Sequence, residues 1–64
     1  SHPKETPMKI FLRIVHKNGT AYVPIECELD DDGTLVSFFI DGSLQFAVPR
    51  EDFLFAELAE KEIA

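Results

Sequence analysis

The sequence predicts an α+β domain, a four-stranded antiparallel β-meander that curls toward a small barrel and is followed by a C-terminal helix. Three observations support this prediction. Apolar and polar residues alternate over 8–17 and 20–29, which is the period of a half-buried strand. An Asn-Gly pair at 18–19 and an Asp-Gly pair at 41–42 follow apolar runs, as two-residue hairpin turns do. From residue 50 the apolar period becomes helical.

One small domain is predicted over 8–64. Residues 1–7 contain two prolines and two charges without an apolar pattern, so we expect a flexible leader there. Ser1-His2, ahead of the internal Met8, has the form of a cloning scar. A chain of 64 residues is near the lower limit for a stable single core. Self-association is therefore an expected source of additional stability.

Charge and cysteine content narrow the function classes. The formal net charge is −6, and the excess of acidic residues follows residue 20. This balance makes a general nucleic-acid binder a weak candidate and favours solubility. The single cysteine has no internal partner for a disulfide, so we expect a cytoplasmic location. No run approaches the ~20 apolar residues of a membrane helix, and we expect no membrane partner, cofactor or small-molecule substrate.

The first predicted hairpin joins strands 8–17 and 20–29. A two-residue loop at 18–19 pairs Ile14 with Val23, which places the apolar residues of both strands on one side, here called face A; the opposite side is face B. The same register puts Pro24 opposite Arg13, at a hydrogen-bonded position where proline has no N–H to donate. We therefore expect a bulge or sharp bend near Pro24.

The central predicted hairpin joins strands 34–40 and 43–48 and is apolar on both faces. A two-residue loop at 41–42 pairs Phe39 with Leu44 and Leu35 with Val48 on face B. Val36, Phe38 and Ile40 point to face A, so both sides of this hairpin need to be covered. One short helix cannot cover both.

A C-terminal helix is predicted over 50–62. Apolar residues fall on one arc of a helical wheel, Pro49 suits a helix start, and Glu51 and Asp52 suit a first helical turn. The alternative is a 3₁₀ turn over 50–53 followed by a last strand through Leu54 and Leu58, which closes a five-stranded SH3-like barrel. The high helix propensity of residues 56–62 favours the helix.

Residues that could carry chemistry are present but poorly spaced. Asp30, Asp32 and Gly33 fit part of a calcium-loop template, but Phe39 stands where the template requires a glutamate. Cys27 and His16 lie about six residues apart along the predicted ladder, or ~20 Å, too far for a nucleophile and its base. We predict no enzyme activity, no catalytic residue and no metal site.

The surplus of apolar strand predicts a non-catalytic interaction module that associates with itself, as a homodimer, or with another protein. The predicted interaction residues are Leu35, Phe39, Leu44, Phe46, Val48 and Phe53. The alternative is an SH3-like barrel that binds nucleic acid, because cations and rings alternate on face B of the first hairpin. The residues of that alternative face are Lys9, Phe11, Arg13, Lys17 and Tyr22.

Overall fold

The computed structural model describes residues 7–63, which form six strands and one 3₁₀ turn. In chain order these are β1 Met8–His16, β2 Gly19–Pro24, β3 Glu28–Asp31, β4 Leu35–Ile40, β5 Ser43–Pro49, the 3₁₀ turn Arg50–Asp52 and β6 Phe53–Glu62. They make two antiparallel sheets, with strand order β2-β1-β6 in sheet 1 and β3-β4-β5 in sheet 2. The predicted leader, apart from Pro7, lies outside the described residues.

The predicted C-terminal helix is wrong, because residues 53–62 form strand β6 against β1. The ladder runs from Met8 opposite Glu62 to His16 opposite Phe53. Helix propensities differ by only tenths of a kcal/mol per residue, and a long ladder outweighs them. The alternative interpretation had the right local structure here, a 3₁₀ turn and then a strand. Its five-stranded SH3-like barrel is not confirmed, since the described strands number six and form two separate sheets.

The predicted four-strand meander is also wrong, because the predicted strand over 20–29 is divided in two. β2 ends at Pro24, a turn follows in which the N–H of Cys27 donates to the Pro24 carbonyl at 3.2 Å, and β3 begins at Glu28 in the other sheet. The expected bend near Pro24 is therefore present. It transfers the chain from sheet 1 to sheet 2 instead of curling one continuous sheet.

The register of the first hairpin explains how the sheet accommodates Pro24. His16 pairs with Gly19 and Ile14 with Ala21, so the turn is one step earlier than predicted and the register differs by two residues. Face A is preserved, because a two-residue shift keeps every side chain on its side. Pro24 now lies opposite Phe11.

The direction of the ladder bonds follows from one contact at the end of sheet 1. The N–H of Ile63 donates to the Pro7 carbonyl at 3.1 Å. Because backbone groups alternate in direction along an antiparallel strand, odd-numbered residues of β1 bond to β6 and even-numbered residues bond to β2. Phe11 therefore has no bond to β2, and Pro24 opposite it points its missing N–H to the outer edge. No ladder bond is lost there.

The two sheets pack through a small core. Ile14 and Val23 on face A of sheet 1 are buried together with Val36, Phe38 and Val48 of sheet 2. Six partly buried residues surround them: Leu12, Ala21, Cys27, Phe46, Phe53 and Ala56. Among residues 7–63 there is no helix long and apolar enough to cross a membrane.

Candidate functional site

The turn of the central hairpin is as predicted, but the pairing changes along its strands. Asp41 and Gly42 both have positive φ, 51° and 78°, as a type I′ turn requires. Phe39 pairs with Leu44 next to this turn, also as predicted. The register then shifts by one residue, because β5 has an additional residue at Gln45. Beyond this bulge the side chains of β5 change faces.

The bulge moves Phe46 and Val48 from face B to the core. Phe46 now pairs with Phe38, with ring centroids 6.5 Å apart, and Val48 pairs with Val36 and is only 4% exposed. Burying such side chains stabilises a fold by about 1.5–3 kcal/mol each. A disrupted ladder bond costs about 0.5–1.5 kcal/mol. Core packing therefore outweighs the regular register that the turn alone specifies.

Three of the predicted interaction residues remain together on the outer face of sheet 2. Leu35 and Phe39 alternate along β4, and Leu44 pairs with Phe39 from β5. Leu44 is 56% exposed, Leu35 is exposed and Phe39 is half-buried. These three residues are called the outer patch below. Phe53, by contrast, packs against the core opposite His16.

A second apolar surface was not singled out in the sequence. It lies on face A at the free end of the β1–β6 ladder, residues 8–12 and 58–62, called the arm below. Met8 and Ile10 are exposed there, and Leu58, opposite Leu12, is 67% exposed. The apolar alternation of Met8 and Ile10 was visible in the sequence, as was the apolar character of Leu58. Only the pairing of β6 with β1 places these residues on one surface.

The alternative nucleic-acid face is gathered on face B of sheet 1. The rings of Phe11 and Tyr22 meet edge to face at 6.4 Å, and the Lys9 Nζ lies 5.5 Å from the Phe11 ring centroid. Lys61, which the sequence analysis did not single out, places its Nζ 5.4 Å from the Tyr22 centroid. The arrangement thus has cations over aromatic rings. Lys17 lies apart, in the β1–β2 turn.

Arg13 lies on the same face but is occupied by an acidic partner. Its guanidinium forms an ion pair with Glu57, the residue opposite it in β6. This hydrogen bond, together with a bond to Tyr22, raises the pKa of Arg13 above its usual value. Arg13 therefore stays charged, but Glu57 neutralises much of its field. Lys9 and Lys61 are left as the cations available to a ligand on this face.

No family model, no curated protein and no solved structure matches this chain. Function is therefore inferred from its own residues.

The residues that carry chemistry elsewhere have structural roles here. Cys27 packs against the core between β2 and β3, and burial raises the pKa of its thiol, which lowers its reactivity. His16 lies 5.3 Å from the Phe46 ring, centroid to centroid, in the last position of β1. Within the described part of the chain, no group of three or more metal-ligating side chains comes together.

In the acidic loop between β3 and β4, aspartate side chains accept hydrogen bonds from the backbone of the same loop. The Asp32 carboxylate accepts hydrogen bonds at 2.8 Å from the N–H groups of Thr34 and Leu35, which lowers its pKa. Asp31 accepts one from Gly33 and pairs with the Arg50 Nε at 3.1 Å. These carboxylates are thus used to shape a turn, which is a different role from that of calcium ligands.

Proposed function

We propose that this protein is a non-catalytic interaction module that associates with protein through apolar surface left uncovered by its own two sheets. The observation that supports this most directly is the ratio of exposed to buried apolar residues. Among the described residues, five apolar side chains are buried, whereas eleven large ones are exposed. Single exposed apolar residues are normal, but contiguous groups of them are typical of interaction sites.

The shape of the molecule explains why so much apolar surface stays exposed. Its radius of gyration is 14.0 Å and it measures 52 × 26 × 14 Å. A compact domain of this length has a radius of gyration near 11 Å. The accessible surface of 4675 Å² also exceeds the roughly 4,100 Å² expected for a compact monomer of 7.2 kDa. An elongated sandwich buries less of its own surface and offers more to a partner.

The outer patch is the surface on which we base the proposal. It combines Leu35, Phe39 and Leu44 on the β4–β5 hairpin, and Glu28 stands opposite Phe39 at its border. A partner surface that is apolar at its centre and basic at its margin is complementary to it.

Leu44→Gln tests the outer patch, and Leu29→Gln is a matched control. Both leucines are 56% exposed in edge strands of sheet 2, but Leu29 pairs with Phe38 and lies on the core side. We expect the folded wild type to bind a hydrophobic dye and to sediment above monomer mass. Leu44→Gln should lower dye binding more than Leu29→Gln does.

Two results contradict the proposed function. One is a folded wild type that sediments as a strict monomer and binds no dye. The other is an equal loss of dye binding in both variants, which would mean that the outer patch has no special role. Circular dichroism checks that each variant retains its β-structure.

We infer a cytoplasmic location for this module. The free Cys27, half-buried and without a disulfide partner among residues 7–63, is in keeping with a reducing compartment. Fractionation of cells expressing the tagged chain checks this directly. Recovery outside the cytoplasmic fraction contradicts it.

A second candidate function is the binding of single-stranded nucleic acid on face B of sheet 1. The grouping of Lys9, Phe11, Tyr22 and Lys61 favours it, since aromatic rings stack on bases while cations follow phosphates. The acidic remainder of the chain and the Arg13–Glu57 pair weaken it. It therefore ranks below protein association.

Fluorescence anisotropy with a labelled single-stranded oligonucleotide tests this second function. Lys9→Ala should weaken binding, because Lys9 lies over the Phe11 ring, whereas Lys17→Ala in the turn should not. Binding should also fall as salt concentration rises. An absence of binding at low salt, or equal losses in the two variants, rules out this use of face B.

A further inference from the structure

We propose that the outer edge of β6 pairs antiparallel with β6 of a second copy, so that the two sheets 1 form one continuous six-stranded sheet. This inference rests on the proposed function and adds the strand and the register through which the chain associates with itself. It follows from three features of β6: its open edge, the direction of its backbone groups and the order of its side chains.

β6 is the least protected edge among the described strands. Four strands lie at sheet edges: β2, β6, β3 and β5. β2 ends at Pro24, and β3 is only four residues long and acidic. β5 carries a bulge and ends at Pro49. β6 runs ten residues with neither proline nor bulge along Phe55–Glu62. Proline, bulges and short acidic strands all discourage pairing with another chain. Phe55–Glu62 has none of these, because the register shift of β6 lies before it, at Leu54.

The backbone groups that β6 presents to solvent are defined by its ladder with β1. Because the Ile63 N–H bonds to Pro7, odd-numbered residues of β6 are bonded to β1 and even-numbered ones point outward. The N–H and C=O groups of Ala56, Leu58 and Glu60 are therefore directed to the outer edge. Because β6 pairs with β1 alone among the described strands, these outward groups have no ladder partner within residues 7–63.

One register of such a pair matches the charges and sizes of the β6 side chains. With the twofold axis at Ala59, Glu57 of each copy lies opposite Lys61 of the other, and Phe55 lies opposite Ile63. Acid then meets base, exposed ring meets exposed aliphatic side chain, and the small Ala59 lies at the axis. An axis at Glu57 or at Glu60 would place like charges opposite each other.

The same register also places outward-pointing backbone groups together. Leu58 lies opposite Glu60 of the second copy, and both are even-numbered, so their N–H and C=O groups form a reciprocal pair of hydrogen bonds. Leu58, which is largely exposed in the monomer, then lies beside the side chain of Glu60 of the second copy. The open strand edge thereby gains hydrogen-bond partners.

Sedimentation equilibrium of the full chain over a range of concentrations tests the pairing. We expect a reversible monomer–dimer equilibrium for the wild type. Glu60→Pro removes an outward N–H but no bond to β1, so it should raise the dimer Kd at least about tenfold while circular dichroism stays unchanged. Lys61→Glu, which puts two acids opposite each other, should weaken the dimer by a similar factor.

Lys9→Glu is the matched control for Lys61→Glu. Lys9 lies opposite Lys61 on the same face, so the charge change is identical, but β1 is one strand removed from the edge. Its dimer Kd should change by less than about threefold, which is about 0.65 kcal/mol. If Glu60→Pro fails to fold, the comparison of Lys61→Glu with Lys9→Glu still tests the register.

The outcomes separate this inference from the proposed function. A strict monomer that binds a hydrophobic dye overturns the β6 pairing and leaves the interaction module standing. A dimer that Leu44→Gln breaks but Glu60→Pro and Lys61→Glu do not shows self-association through the outer patch instead, and also overturns it. A strict monomer that binds no dye contradicts both.

Discussion

The two sheets use their apolar residues differently because their strands differ in length. β1 and β6 of sheet 1 have nine and ten residues, whereas the strands of sheet 2 have four to seven. At ~3.3 Å per residue, β6 is about 33 Å long and β4 only about 20 Å. Sheet 2 therefore covers face A around Ile14 and leaves the arm uncovered. The exposed apolar surface follows from this mismatch rather than from composition alone.

The largest expected difference is between the core of sheet 2 and the arm of sheet 1. Phe38→Ala should lower the free energy of unfolding by about 3–5 kcal/mol, because it leaves a cavity in the core. Leu58→Ala should change it by less than about 0.5 kcal/mol, since Leu58 is mostly exposed. Urea unfolding at a concentration where the chain is monomeric measures both. Similar losses would mean that Leu58 is buried within the monomer itself and would remove the contrast between the sheets.

Proline substitutions at two adjacent residues of β6 distinguish the N–H groups that bond to β1 from those that point to the outer edge. Ala59→Pro removes an N–H that bonds to Phe11 in β1 and leaves a carbonyl unsatisfied, so it should cost about 1–3 kcal/mol of stability. Glu60→Pro should cost less than about 1 kcal/mol in the monomer, because its N–H points outward. Thermal unfolding of the two variants measures this difference. If Glu60→Pro is the more damaging, the assigned alternation is reversed.

Replacing Pro24 should give β2 an open hydrogen-bonding edge like that of β6. Pro24→Val restores an outward N–H and extends the open edge of β2, so a second pairing edge should become available. We expect larger assemblies, detected as increased light scattering at unchanged monomer stability. Thr20→Val is the control, because it adds a valine to the same strand and face without changing the edge hydrogen bonds. Equal scattering from both variants would assign the effect to hydrophobicity alone.

The smallest expected effect is on the acid stability conferred by Asp32, in the loop that precedes β4. Because backbone hydrogen bonds lower the pKa of Asp32, its ionised form stabilises the folded state. That contribution is present above the usual aspartate pKa and is lost as the pH falls through the lowered value. Asp32→Asn should flatten the pH dependence of the melting temperature below about pH 4, the usual aspartate range. Unchanged acid sensitivity in Asp32→Asn contradicts this.

Some features of the fold were predictable because they depend on neighbouring residues. Asp41-Gly42 specifies a type I′ turn since both positions need positive φ, and the turn is present. The alternation that put Ile14 and Val23 on face A also holds, because side chains in a strand alternate whatever the partner. For the candidate site, the same local logic correctly paired Phe39 with Leu44.

The amino-acid sequence by itself thus determined the central turn, the bend at Pro24 and the sidedness of β1 and β2, all of which arise from local sterics. Tertiary packing decided the rest. The bulge at Gln45 moved Phe46 and Val48 inward because burying them outweighs a lost ladder bond, and the edge of β1 recruited residues 53–62 as a strand against their helix propensity. Such contacts join residues far apart in the chain. Their energies of a few kcal/mol exceed the tenths of a kcal/mol that a local pattern expresses.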